Sequence, residues 1–191
     1  MAKNRSRASV RQPPKLIHLT YCHPVESQRV SELIDDILNK MQEYPESPIV
    51  LHLSSPGGDP DVGIFFYKTA KMLRFPLVTI AVHEVASATL FMYLAGQQRD
   101  SLPDASFLFH NLKNGLEGFF ERDELRHRLD YMTEDENKIV RILAEATGNT
   151  EDAVRKICNK ADRMSAEEAQ KFGVVHNIIE DKTGVAKRRK K

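Results

Sequence analysis

Along the first 110 residues, apolar and polar positions switch repeatedly between a period of two and a period near 3.6. Leu16-Ile17-His18-Leu19, just after Pro13-Pro14, predicts a first strand. From 27 to 43, Val30, Leu33, Ile34, Ile37, Leu38 and Met41 recur every three or four positions, the stripe of an amphipathic helix, and Pro45 and Pro48 stop it. Ile49-Val50-Leu51-His52-Leu53 is a second strand. In the turn that follows, Asp59 is placed to cap a helix whose first residue is Pro60, and that helix is expected to reach about Leu73. Leu77–Val82 reads as a buried strand after Pro76. Val85–Leu94 is predicted as a mostly apolar helix stopped by Gly96, and Ser106–Phe109 as a strand ending at His110. Strands and helices that alternate in this way predict parallel βαβ crossovers, and nearly continuous apolar strands predict a sheet covered on both faces.

The second half of the chain has a different texture. Leu125, Leu129, Met132, Ile139, Leu143 and Ala146 lie among charged residues between Gly118 and Thr147. They predict one helix of about 30 residues, roughly 45 Å long. A helix of that length outreaches a domain of this size, so it is expected to pack on another subunit or domain. Gly148 ends it. A short helix from Asn149 or Thr150 through Ile157 follows. Ser165-Ala166-Glu167-Glu168 is a capping box opening another, Gly173 ends that one, and Val174–Ile179 returns as a strand. The fold class is therefore α/β, with repeated β-α-β units and a long additional helix.

Composition narrows the function classes. The chain has 191 residues, 41% hydrophobic and 29% charged, enough for one domain with a buried core. No apolar run approaches the roughly 18 residues of a spanning helix, so no membrane anchor is expected. The basic N-terminal stretch lacks an apolar h-region, so no secretory signal is expected. Cys22 and Cys158 are too far apart for a zinc-finger or disulfide framework and are expected to be reduced thiols in a cytoplasmic protein.

The net charge of +1 hides a split. Lys3, Arg5, Arg7, Arg11 and Lys15 make residues 1–15 a basic disordered arm, and Lys-Arg-Arg-Lys-Lys ends a basic tail, 181–191. Removing those ten bases from the total of 28 leaves 18 against 27 acids, a net of −9 for residues 16–186. An acidic body argues against nucleic-acid binding as the main function.

Three features can carry chemistry. Ser54-Ser55-Pro56-Gly57-Gly58 joins a strand to a helix, and consecutive glycines leave backbone N–H groups unshielded; the loop is either an oxyanion or phosphate cradle or a tight turn with a capped helix. Ser87, flanked by Ala86 and Ala88, is either an accessible hydroxyl or an ordinary N-cap. The Ala88 N–H would point the same way as Ser87. His110 sits just past a strand. In a parallel sheet, sites gather at the carboxyl ends of strands, and all three features fall there. The other histidines, His18, His23, His52, His83, His127 and His176, show no ligand spacing for a metal, and no cofactor site is expected. Phe65, Phe66, Phe91, Met92 and Tyr93 are expected in the core.

Four blocks carry a family resemblance: Ser54-Ser55-Pro56-Gly57-Gly58; Ala86-Ser87 followed by Tyr93-Leu94-Ala95-Gly96; Pro103 to His110; and Met164 to Ala169 with Phe172-Gly173-Val174-Val175. Over residues 16–180 the chain resembles the proteolytic subunit of the Clp protease, within the ClpP/crotonase fold. The resemblance implies a ClpP-like peptidase domain over 16–180, a serine endopeptidase acting on peptides or unfolded proteins inside homo-oligomeric rings, and the long helix as the family's handle. It also raises an ATP-dependent AAA+ unfoldase as feeding partner. Mapped by residue, it makes Ser87 the nucleophile and His110 the general base, with the Gly58 and Ala88 N–H groups as the oxyanion hole. The sequence departs from the family pattern at His83-Glu84-Val85 before the nucleophile, at Thr89, and at Ala161, which occupies the ungapped position of the third triad member. Asp162, one residue on, is the candidate for that role. Two other readings compete: a catalytically weak or inactive scaffold subunit, and a crotonase-type acyl-CoA enzyme using paired N–H groups on a thioester enolate.

Overall fold

The computed structural model describes residues 15–180 apart from Asn114, Leu116 and Glu117. The tail predicted at 181–191 and, but for Lys15, the arm predicted at 1–15 lie outside the described residues.

Strand β1 (Ile17–Tyr21), helix α1 (Ser27–Glu43), strand β2 (Ile49–Ser55), helix α2 (Pro60–Met72) and strand β3 (Leu77–Ala86) form two successive crossovers. All three strands pair in parallel. The stripe on α1 buries Val30, Leu33, Ile34 and Ile37. Asp59 caps α2 by accepting from the Asp61 and Val62 N–H groups, an arrangement worth about 1 kcal/mol.

The sheet forks at β3. Its first half pairs with β4 (Gln98–Ser101), which continues to β7 (Asn177–Ile178). Its second half, Glu84–Ala86, pairs with β5 (Ser106–Leu108), and β5 pairs antiparallel with β6 (Arg163–Ser165). The fork explains one departure from the sequence pattern. The helix predicted from Val85 begins only at Thr89, as α3 (Thr89–Leu94), because Val85 and Ala86 are held in the ladder against Phe107 and Leu108. Phe66, Phe91, Met92 and Tyr93 are buried as expected, and the Tyr93 hydroxyl donates to the Asp100 carbonyl at 2.9 Å. Phe65 is not: it is 57% exposed on α2.

The long helix, α4 (Arg122–Thr147), has 26 residues, so it spans about 39 Å. It starts four residues later than predicted. Its C-terminal part buries Val140, Leu143 and Ala144, while Leu125, Leu129 and Tyr131 stay exposed. Gly148 closes it in the left-handed conformation, at φ 72°. Helix α5 (Glu151–Lys160) and helix α6 (Ala166–Lys171) follow, the latter opened by the expected capping box of Ser165 and Glu168. The final strand is shorter than predicted, Asn177–Ile178 rather than Val174–Ile179. Among the described residues, no helix is long and apolar enough to cross a membrane.

His18 on β1 and His52 on β2 meet across the ladder, with His18 Nδ1 and His52 Nε2 3.0 Å apart and their rings stacked. Burial, followed by the neighbouring His18 ring, holds the His52 imidazole below its ordinary pKa. The unfolded chain therefore takes up a proton at His52 that the folded chain resists. Its contribution to stability is present above about pH 6.5 and is lost as pH falls below that value. We expect His52→Gln to flatten the decline of unfolding free energy between pH 7 and 5.5 in urea titrations; an unchanged slope would assign the decline to other groups.

Candidate functional site

The loop after β2 is held so that one backbone donor is left over. The Gly57 N–H donates to Ser55 Oγ at 3.2 Å, and the Asp59 N–H donates to the Val25 carbonyl at 2.9 Å. Between them, the Gly58 N–H has no acceptor among the described residues. Val25 grips the loop twice, because its own N–H donates to the Gly57 carbonyl at 2.8 Å. Glycine is required at both positions. Gly57 has φ 102° and Gly58 φ 155°, and a Cβ on Gly58 would lie 2.4 Å from the Val25 carbonyl oxygen.

Ser87 forms the sharp corner between β3 and α3. Its φ of 54° is left-handed for a residue with a side chain, a conformation costing of order 1 kcal/mol. The corner is held from both sides. The Ser87 N–H donates to the Leu108 carbonyl at 2.9 Å, and the Ser87 carbonyl accepts from the Leu90 N–H at 3.0 Å. The next donor, the Ala88 N–H, is again without an acceptor among the described residues. Thr89, the larger residue at a family position for a small one, turns its hydroxyl to the Ser55 carbonyl at 3.4 Å, tying the start of α3 to the glycine loop.

His110 follows two residues after Leu108, so the carbonyl that holds Ser87 belongs to the segment that presents His110. Gly58, Ser87, Ala88 and His110 line one cleft of about 230 Å³, with Leu90, Phe91, Phe109, Ile139 and Leu143 forming its apolar wall. The four residues selected as nucleophile, base and oxyanion donors thus share one cleft. Ser87 and His110 are not hydrogen-bonded to each other. His110 Nδ1 instead lies 2.6 Å from the carbonyl oxygen of Asn111. A carbonyl can only accept, so Nδ1 donates, and in the neutral ring Nε2 is then the nitrogen with the lone pair.

The family model described as Clp protease matches residues 4–182. The chain belongs to the Clp protease family. The match supports a ClpP-like peptidase, and the parallel sheet with its helices agrees with that family's fold.

In this member of the Clp protease family, Asp162 does not join the cleft. It is paired with Lys160 at 3.0 Å, its side chain 63% exposed, in a separate groove with Ile157, Arg163, Met164 and Glu168. Ala161 ends α5 at φ 51°. The contact on the His110 side of α5 comes from Asn159, whose Oδ1 accepts from Asn111 Nδ2 at 2.8 Å. Asn111 and Asn159 were not singled out in the sequence. They lie 48 residues apart, and neither carries a spacing or charge that marks it. Glu84 is engaged elsewhere, in an ion pair with Arg163 that ties β3 to β6.

Proposed function

We propose that this chain is a serine peptidase of the Clp type that hydrolyses peptide bonds through a Ser87–His110 pair. The observation that carries the reading is the convergence on one cleft of the strained Ser87, His110 with Nδ1 engaged and Nε2 available, and the Gly58 and Ala88 N–H groups, which have no acceptor among the described residues. In this mechanism, Ser87 Oγ attacks the scissile carbonyl while His110 Nε2 takes its proton. The carbonyl oxygen, now anionic, is met by the Gly58 and Ala88 N–H groups, each worth about 3 kcal/mol of barrier. His110 returns the proton to the leaving amine, and water repeats the cycle on the acyl-enzyme. The apolar wall of Leu90, Phe91, Ile139 and Leu143 suits a hydrophobic substrate side chain.

The Asn111 carbonyl orients His110 in place of a carboxylate, with Asn159 holding Asn111. Asp162 takes no part. Asp162→Asn is therefore expected to change peptide turnover less than twofold, whereas Asn159→Ala should lower it about 10- to 100-fold by freeing the base's anchor, with its pH profile displaced. Steady-state assays across pH on the two variants decide between these residues.

Assembly completes the proposal. The exposed Leu125, Leu129 and Tyr131 support α4 as the contact between rings of this chain. Family membership makes an ATP-dependent unfoldase the candidate partner that would deliver folded substrates to the cleft. A second reading, an inactive scaffold subunit, is favoured by one observation: the absence of a Ser87–His110 hydrogen bond. In unliganded hydrolases such contacts often tighten only with substrate bound. Incubation of the full chain with a fluorophosphonate probe separates the two. Labelling confined to Ser87, with loss of peptide hydrolysis, supports the peptidase; an unlabelled Ser87 supports the scaffold.

A further inference from the structure

Arg99 on β4 is a buried cation with no acid paired to it among the described residues. It is 8% exposed, its Nε donates to the Val174 carbonyl at 2.7 Å and its Nη2 to the Gly173 carbonyl at 2.9 Å. Among the described residues Nη1 has no acceptor, and no carboxylate lies within ion-pair distance of the guanidinium. Burying a guanidinium against carbonyls alone leaves its charge uncompensated, and burial pushes its pKa below the ordinary arginine value.

The guanidinium opens onto a cleft of about 450 Å³, bounded by Tyr67, Lys68 and Lys71 of α2 and by Glu145 and Ala146 near the end of α4. Lys71 Nζ stands 5.5 Å from the centre of the Tyr67 ring. Neither Lys68 nor Lys71 forms an ion pair among the described residues. Three cations thus face one carboxylate, a local net of +2 on a body whose own net is −9. A planar carboxylate ligand would satisfy one forked donor. Arg99, two ammonium groups and a phenol arriving from different elements match a tetrahedral anion with several oxygens better.

We propose that this cleft binds a phosphate group, with Arg99 at its floor and Lys68, Lys71 and the Tyr67 hydroxyl at its rim. The site is separate from the peptidase cleft and stands whether or not Ser87 is active. Glu145 sets its strength, since its charge opposes any anion that enters.

The test is isothermal titration calorimetry on the full chain with inorganic phosphate and, in parallel, tripolyphosphate, against chloride at matched ionic strength. Saturable phosphate binding is expected. Lys68→Ala/Lys71→Ala should weaken it about tenfold or more, and Glu145→Gln should strengthen it several-fold. Arg99 also holds two backbone carbonyls, so its replacement tests folding as much as binding, and the rim variants carry the decision. Their melting temperatures without phosphate should stay near that of the unaltered chain. Tighter binding of tripolyphosphate than of phosphate would assign the site to a polyphosphate chain, and equal affinities to a single phosphate group; both support the proposal. Non-saturable heats, or an affinity that none of the rim variants moves, overturn it.

Discussion

Replacing Ser87 by alanine is expected to lower turnover of a short unstructured peptide by about 10³-fold or more and to abolish fluorophosphonate labelling. The size of the effect follows from what Ser87 supplies. Among the described residues, its hydroxyl lines the cleft beside the two N–H groups, of Gly58 and Ala88, that have no acceptor there. Without it, the oxyanion donors and the apolar wall remain, but no covalent intermediate forms. In the proposed mechanism the two residues act as a unit, so His110→Ala should produce a loss of similar order and the two effects should not add. The double variant should therefore be little worse than either single one. Folding should be untouched, since Ser87→Ala keeps the N–H to Leu108 and the carbonyl to Leu90 that hold the corner. If Ser87→Ala retains the turnover of the unaltered chain, the assignment of the nucleophile is wrong.

Gly57→Ala is expected to lower kcat/KM by about 10²- to 10³-fold, the loss typical of one misplaced oxyanion donor. An added Cβ would lie 2.6 Å from Ser87 Cβ and 2.8 Å from the Ala86 carbonyl oxygen. Either the serine or the glycine loop must give way, and both carry a piece of the site. The left-handed φ of 102° adds strain, so the melting temperature should fall as well. Gly148→Ala is the matching control. That residue is also left-handed, at φ 72°, but nothing lies within 4 Å of its added Cβ. It should cost about 1 kcal/mol of stability and leave turnover unchanged. A Gly57→Ala protein labelled by fluorophosphonate at the unaltered rate would show that the close approach is unimportant.

Much of the fold was legible because its causes are local. Helix α1 follows from a stripe at Val30, Leu33, Ile34 and Ile37, and the starts of α2 and α6 follow from Asp59 and Ser165 acting as caps. Strand β4 was missed for the converse reason. Gln98-Arg99-Asp100-Ser101 reads as a polar loop, yet Arg99, Asp100 and Ser101 are buried. Arg99 donates to the carbonyls of Gly173 and Val174, and Asp100 accepts from Gln98 and Asn177. Apolar patterning reports burial driven by desolvation and says nothing of polar groups buried on partners 75 residues away. Val85 and Ala86 failed differently: their apolar run suits a helix or a strand, and the ladder with β5 decided for the strand.

For the site, the sequence by itself determined the parts: a glycine pair after one strand, Ser87 between alanines after the next, and His110 at the end of a third. These are local choices of residue type that a corner or a close backbone approach demands. Only the tertiary structure decided how the parts are partnered. Val25 and Ser55 consume the N–H groups on either side of Gly58 and leave its own free. Asp162 is drawn to Lys160, and the Asn111 carbonyl, with Asn159 behind it, takes the place beside His110. A hydrogen bond is won by whichever acceptor the fold brings within about 3 Å, and the long-range partners, Asn159 for Asn111 and Val25 for the glycine loop, leave no mark in the spacing of the chain.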